Sequence, residues 1–112
     1  MTEYLRDLKT INKVKSYIGF AKKSGKLKIG SDNILAYKKF SVIIFSRDIS
    51  ENSKNKLLNH ANKFNFSVKE IDSTLFTQIL ESESIKAIAL LDENLANASL
   101  DCIKTMEETT FE

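Results

Sequence analysis

The chain has no proline, no tryptophan, one cysteine, one histidine and three glycines in 112 residues. Each shortage excludes something. With no proline and so little glycine, no stretch reads as a linker or a low-complexity tract. No internal repeat is visible, so one domain over 1–112 is expected, with its core at about residues 11–103. The lone cysteine, Cys102, cannot form an internal disulfide. No cluster of Cys, His or carboxylates has metal-ligand spacing, so no metal or cofactor is expected. The longest apolar runs, Val42 to Phe45 and Ala87 to Leu91, fall far short of the roughly 20 residues a membrane helix needs. The opening MTEYLRDLKT mixes charges of both signs without an apolar signal region. No membrane partner is expected, and a reducing, cytoplasmic location follows from the cysteine usage.

What is present is ordinary in amount and uneven in placement. Hydrophobic residues make up 42% of the chain, enough for a packed core. The formal net charge is only +2, yet the first 39 residues hold ten Lys/Arg against three Asp/Glu, whereas residues 72–112 hold two against nine. Charge runs ordinarily mark solvated surface. A basic N-terminal third also suits a polyanion.

Leu8, Ile11, Val14, Ile18 and Ala21 recur at helical spacing and predict one apolar stripe. Lys22 and Lys23 complement the negative end of that helix, and Gly25 stops it in a left-handed turn. A short extended piece, Leu27 to Ile29, follows. Gly30, Ser31 and Asp32 then open a second helix expected to reach about Lys39. Val42 to Phe45 is β-branched and wholly apolar, which marks a central strand buried on both faces. Asp48 and Glu51 have capping-box spacing, with Ser50 as the competing N-cap, before a helix carrying Leu57, Leu58, Ala61 and Phe64. Phe66 to Ile71 is a strand, and Ser73 caps a short helix with the pairs Leu75-Phe76 and Ile79-Leu80. Ile85 to Leu91 is the last strand. Asp92 opens a final helix bearing Leu95, Ala96, Ser99, Leu100 and Ile103, and the tail from Glu107 to Glu112 is expected to fray. Alternating strands and helices predict an α/β protein: a three-layer α/β/α sandwich around a small mixed sheet.

No catalytic constellation emerges, so neither an enzyme nor a small-molecule substrate is expected. His60 lies mid-helix between Asn59 and Asn62, where a surface or half-buried role outweighs that of a general base. Cys102 precedes Ile103 and reads as a small buried hydrophobe. Asp48 and Asp92 follow buried strands, where receiver-like enzymes hold magnesium; both also start helices, and capping accounts for them.

The segment from Ala21 to Asn33 is different. Lys22, Lys23, Lys26 and Lys28 fall around Gly25, and Gly30 then opens a helix. Free N–H groups and the helix dipole favour a phosphate there, and a residue without a side chain lets a nucleic-acid backbone come close. Ser31, Asp32 and Asn33 are short polar residues able to reach base edges. A lysine-rich turn with an ordinary capped helix would look the same at this level.

Gly19-Phe20-Ala21-Lys22-Lys23-Ser24-Gly25-Lys26-Leu27, then Ile29-Gly30, resembles the GLAxRAGKLxxG opening of bacterial YlxQ-like proteins. These belong to the ribosomal-protein superfamily of L-seven-Ae and L-thirty-e, whose members bind kink-turn RNA. Val42 to Asp48 with Ser50 to Lys56 resembles its LVILAxDASENTKKK segment, and Ala87 to Asn97 its last strand and DEGFAK helix. The resemblance implies the same sandwich, no catalysis, and structured RNA as partner: ribosomal or another kink-turn-like RNA, with ribosome association. It assigns the guanine contact to Gly30, Ser31, Asp32 and Asn33, and an extruded base to the loop at Glu81 to Ser84. Phosphate contacts would come from Lys22, Lys23, Lys26, Lys28 and Arg47, around the turn at Gly25. The chain departs from the family in having Asp32-Asn33 for Asn-Glu, Ala36 for a lysine, Glu81 and Glu83 in the second loop, and a shorter linker between Lys39 and Val42. The competing expectation is a protein-interaction module on the same fold that has lost RNA binding, its acidic face built from Glu81, Glu83, Asp92, Glu93 and Asp101.

Overall fold

A four-stranded mixed sheet in the order β1-β4-β2-β3 organises the chain. The structure, a computed structural model, describes the backbone of residues 2–39 and 41–110 and the side chains of 8–39 and 41–106. Along it run α1 (Thr2–Lys23), β1 (Leu27–Ile29), α2 (Ser31–Leu35), β2 (Val42–Ser46), α3 (Glu51–Phe64), β3 (Ser67–Ile71), α4 (Ser73–Leu80), β4 (Ala87–Leu90) and α5 (Glu93–Thr110). β2 and β3 pair in parallel, whereas β4 runs antiparallel to both β2 and β1.

Alternation along the central strands sends side chains to two cores. Val42, Ile44, Ile88 and Leu90 meet α1, α4 and α5 through Val14, Phe76, Ile79, Ala96 and Ile103. Ile43, Phe45, Ala87 and Ala89 meet α2 and α3 through Ile34, Leu57 and Ala61. Every residue of β2 and β4 is buried. Fully burying each large aliphatic or aromatic among them contributes about 1.5–3 kcal/mol. The protein is therefore the expected three-layer α/β/α sandwich. Among the described residues no helix is long and apolar enough to cross a membrane.

Several local expectations are corrected. Leu8 and Leu58 are each 38% exposed, because both lie off the face that meets the sheet. α2 stops at Leu35 rather than near Lys39. Its one fully buried anchor is Ile34, and a further turn would bring Lys38 onto the same face. The chain turns away instead: the Tyr37 N–H donates to the Ile34 carbonyl, and His60 Nε2 bonds the Tyr37 carbonyl. That bond, with rings of Phe64 and Phe66 beside the imidazole, gives the half-buried His60 a structural use. Asp72, not Ser73, caps α4, accepting from the N–H groups of Thr74 and Leu75. Ser50 caps α3, accepting from Ser53, while Asp92 accepts from Leu95 at the start of α5 as expected. The tail expected to fray is helical as far as Thr110; Phe111 and Glu112 lie outside the described residues. Cys102 is half-buried against the α1–α4–α5 core.

Candidate nucleic-acid interface

The basic segment and the glycine-opened helix are adjacent in sequence, yet β1 stands between them. β1 is an edge strand, and its register against β4 puts Lys26 beside Leu91 and Gly30 beside Ala87. Three strand residues separate these ends by about 10 Å. Lys22, Lys23 and Lys26 therefore occupy one end of the sheet, with Lys22 and Lys23 on the last turn of α1 and Gly25 in a left-handed turn at φ 73°. Gly30, Ser31, Asp32 and Asn33 occupy the other. Arg47 joins this second group, because β2 is antiparallel to β4 and ends beside Lys86. What reads as one lysine-ringed tip is split across the length of a strand.

At the second end, Gly30 is the N-cap of α2 at φ 91° and ψ 146°, a backbone conformation close to glycine-only territory. A Cβ there would meet nothing within 4 Å, so glycine answers a backbone requirement of the fold itself. No side chain caps α2, which leaves its first N–H groups to solvent or a ligand. Asp32 and Asn33 are exposed. Asn33 Nδ2 donates to the Ile29 carbonyl at 2.7 Å, which engages one of the amide's two N–H donors and leaves Oδ1 as an acceptor beside the exposed Asp32 carboxylate. The pair is thus acceptor-rich.

Lys28 lies between the ends, half-buried, with its ammonium 4.3 Å from the centre of the Tyr37 ring. Among the described residues, Lys22, Lys23, Lys26, Lys28 and Arg47 have no carboxylate partner, whereas Lys15, Lys54 and Lys86 pair with Glu81, Glu70 and Asp48. The cations proposed from sequence are thus free of carboxylates among the described residues, as are other exposed lysines such as Lys13 and Lys56.

Beside Arg47 lies a groove of about 460 Å³ lined by Asp48, Ser73, Thr74, Thr77, Gln78, Glu83 and Lys86. It sits where β2 and β3 end and α4 begins. Asp48 does not cap α3; it pairs with Lys86 at 2.9 Å and accepts from the Ser46 hydroxyl. These bonds, Lys86 first and Ser46 second, hold its carboxyl below the usual carboxylate range. With hydroxyls, an amide and two carboxylates against one ammonium, the lining suits a neutral hydrogen-bonding group better than a phosphate. Sequence reasoning missed Lys86, Thr74, Thr77 and Gln78. Only Lys86, the lone cation just ahead of the last strand, offered a signal. In the second loop, Glu81 is the αL cap of α4 and turns to Lys15 at 2.6 Å, which lowers its pKa and removes it from the acidic face. Among the described residues no three His, Cys, Asp or Glu side chains converge as a metal site.

No family model matches the chain, and no curated protein matches it. Its fold does have solved counterparts. One, described as a protein with unknown function from Bacillus halodurans, superposes with a TM-score of 0.67 over 82% of this chain and 97% of that one, at 19% identity. A likeness at that identity speaks to the fold alone.

Proposed function

We propose that this chain binds structured, kink-turn-like RNA, in the cytoplasm and in association with the ribosome, without catalysing a reaction. One observation carries the proposal. A single end of the sheet gathers an uncapped, glycine-opened helix start, the exposed Asp32 and Asn33, the unpaired Arg47 and a hydroxyl-lined groove. Bent RNA with splayed bases is the form of RNA whose edges a protein can read. Asp32 and Asn33 present acceptors, so the guanine edge they suit is the one that donates, through its N2 amino group. On this reading, the departure from the Asn-Glu pattern is a change in which edge is read. The groove beside Arg47 would take an extruded base, and Lys22, Lys23, Lys26 and Lys28 would meet phosphates along β1. The resemblance of Gly19 to Gly30 and of Val42 to Lys56 to YlxQ-like proteins supports the same partner.

The test is a titration of the chain against a kink-turn RNA and a straight duplex at two salt concentrations. Selective binding to the kink-turn is expected, weakening as salt rises because each phosphate contact releases counterions. Arg47→Glu with Lys28→Glu should lose that affinity and lower the salt slope by about one per contact removed. Fold stability should change by no more than the Lys28–Tyr37 contact, about 0.5–1 kcal/mol. Equal, feeble binding to both RNAs would remove the proposal.

A further inference from the structure

The last turn of α1 carries the most exposed large apolar side chain among the described residues. Phe20 keeps 64% of its surface in solvent, against 42% for Tyr37 and 38% for Leu8 and Leu58. Ile11, Val14, Ile18 and Ala21 form the face of α1 that meets the core, and Phe20 stands off it. Unlike Tyr37, which Lys28 covers, the Phe20 ring has no cation seated on its face and no ring packed against it among the described residues.

Helical spacing puts Lys13, Ser16 and Lys23 on the same outward face as Phe20. The turn after the helix folds back beside it. Ser24 donates to the Phe20 carbonyl from its N–H at 3.0 Å and its hydroxyl at 2.9 Å, and the Lys26 N–H donates to the Ala21 carbonyl at 2.7 Å. Lys13, Lys23 and Lys26 are all exposed, and none pairs with a carboxylate among the described residues. Of the carboxylates where α5 begins, Asp92 is held by the Leu95 N–H at 2.9 Å, and Glu93 faces solvent.

We propose that Phe20, with Lys13, Lys23 and Lys26, is a stacking platform for an unpaired nucleotide of single-stranded RNA, at the far end of β1 from Gly30. A single strand presents a base face and a phosphate at every step, so a bare ring among unpaired ammonium groups complements it without reading sequence. A second copy of the chain fits poorly, since two such patches would set lysines against lysines. The inference rests on the RNA proposal above and adds to it a strand running out of the folded RNA.

Fluorescence anisotropy with a labelled oligouridylate of about ten nucleotides tests it, with kink-turn RNA measured in parallel. Phe20→Ala should weaken oligouridylate binding roughly tenfold, and Phe20→Tyr should restore it. Lys23→Glu with Lys26→Glu should weaken binding and flatten its salt dependence. In a chain without tryptophan, Phe20→Trp should report stacking as quenched indole fluorescence. The proposal is overturned if Phe20→Ala binds oligouridylate as the parent does. It is overturned too if base-free polyphosphate shows the same loss on Phe20→Ala, or if sedimentation shows a dimer that Phe20→Ala abolishes. Kink-turn binding without oligouridylate binding defeats this proposal alone; binding of neither RNA defeats both.

Discussion

Replacing either of two glycines by alanine should move stability in opposite directions. Gly19 lies inside α1, and Gly30 opens α2 at φ 91°. A Cβ built at either position meets nothing within 4 Å, so sterics with neighbours cannot distinguish them; only the backbone can. At Gly19 the helical conformation suits alanine, and lower entropy in the unfolded chain stabilises by about 0.5–1 kcal/mol. At Gly30 an L-residue must hold a conformation that costs on the order of 1–3 kcal/mol. The unfolded-state gain of about 0.4–1 kcal/mol offsets part of that, leaving a net loss of up to about 2.6 kcal/mol, with mid-range values giving about 1.3. For a domain of this size each kcal/mol moves the melting midpoint by roughly 4–8 °C. Thermal melts and urea titrations should therefore show Gly19→Ala above the parent and Gly30→Ala below it. A Gly30→Ala midpoint equal to or above the parent would refute the assignment of Gly30 to the backbone. The uncapped start of α2 would then need another account.

Ser99 is fully buried in α5 and its hydroxyl has no hydrogen-bond partner among the described residues. Ser99→Ala should hold or raise the urea midpoint, since an unmet buried hydroxyl costs about 1–3 kcal/mol. Asp48 and Glu81 have carboxyl pKa values lowered below their ordinary 3.8 and 4.5 by hydrogen bonds from Lys86 and Lys15. A lowered folded-state pKa stabilises above the ordinary value and is lost as pH falls through the folded one. Stability should therefore begin to drop as pH falls to the ordinary values of 4.5 and 3.8 and go on dropping through the lowered folded ones, and Asp48→Asn with Glu81→Gln should flatten that drop in chemical denaturation.

The order of elements, the burial of both faces of β2 and the helix stripes were legible because they are local. The run Val42 to Phe45 has no polar residue to face water, so it needs cover on both sides, and the spacing of Ile11, Val14, Ile18 and Ala21 admits one buried face. Cap identity was less legible at Asp72-Ser73, where either side chain can accept from the first turn and only the exact start of the helix decides. The site was half legible. Its residue types were visible, since uncompensated lysines and a glycine before short polar residues are composition.

Which of them act together was not. Charge arithmetic along a chain cannot know that β1 will pair at the sheet edge antiparallel to β4, sending Lys26 and Gly30 to opposite ends. Nor can it know that Glu81 finds Lys15 across 66 positions or that Asp48 finds Lys86 across 38. Periodicity and composition act over a few residues, and they determined the sandwich. Strand order and ion pairing depend on which distant surfaces meet, and only folding the whole chain decided where its free cations, its exposed ring and its polar groove lie.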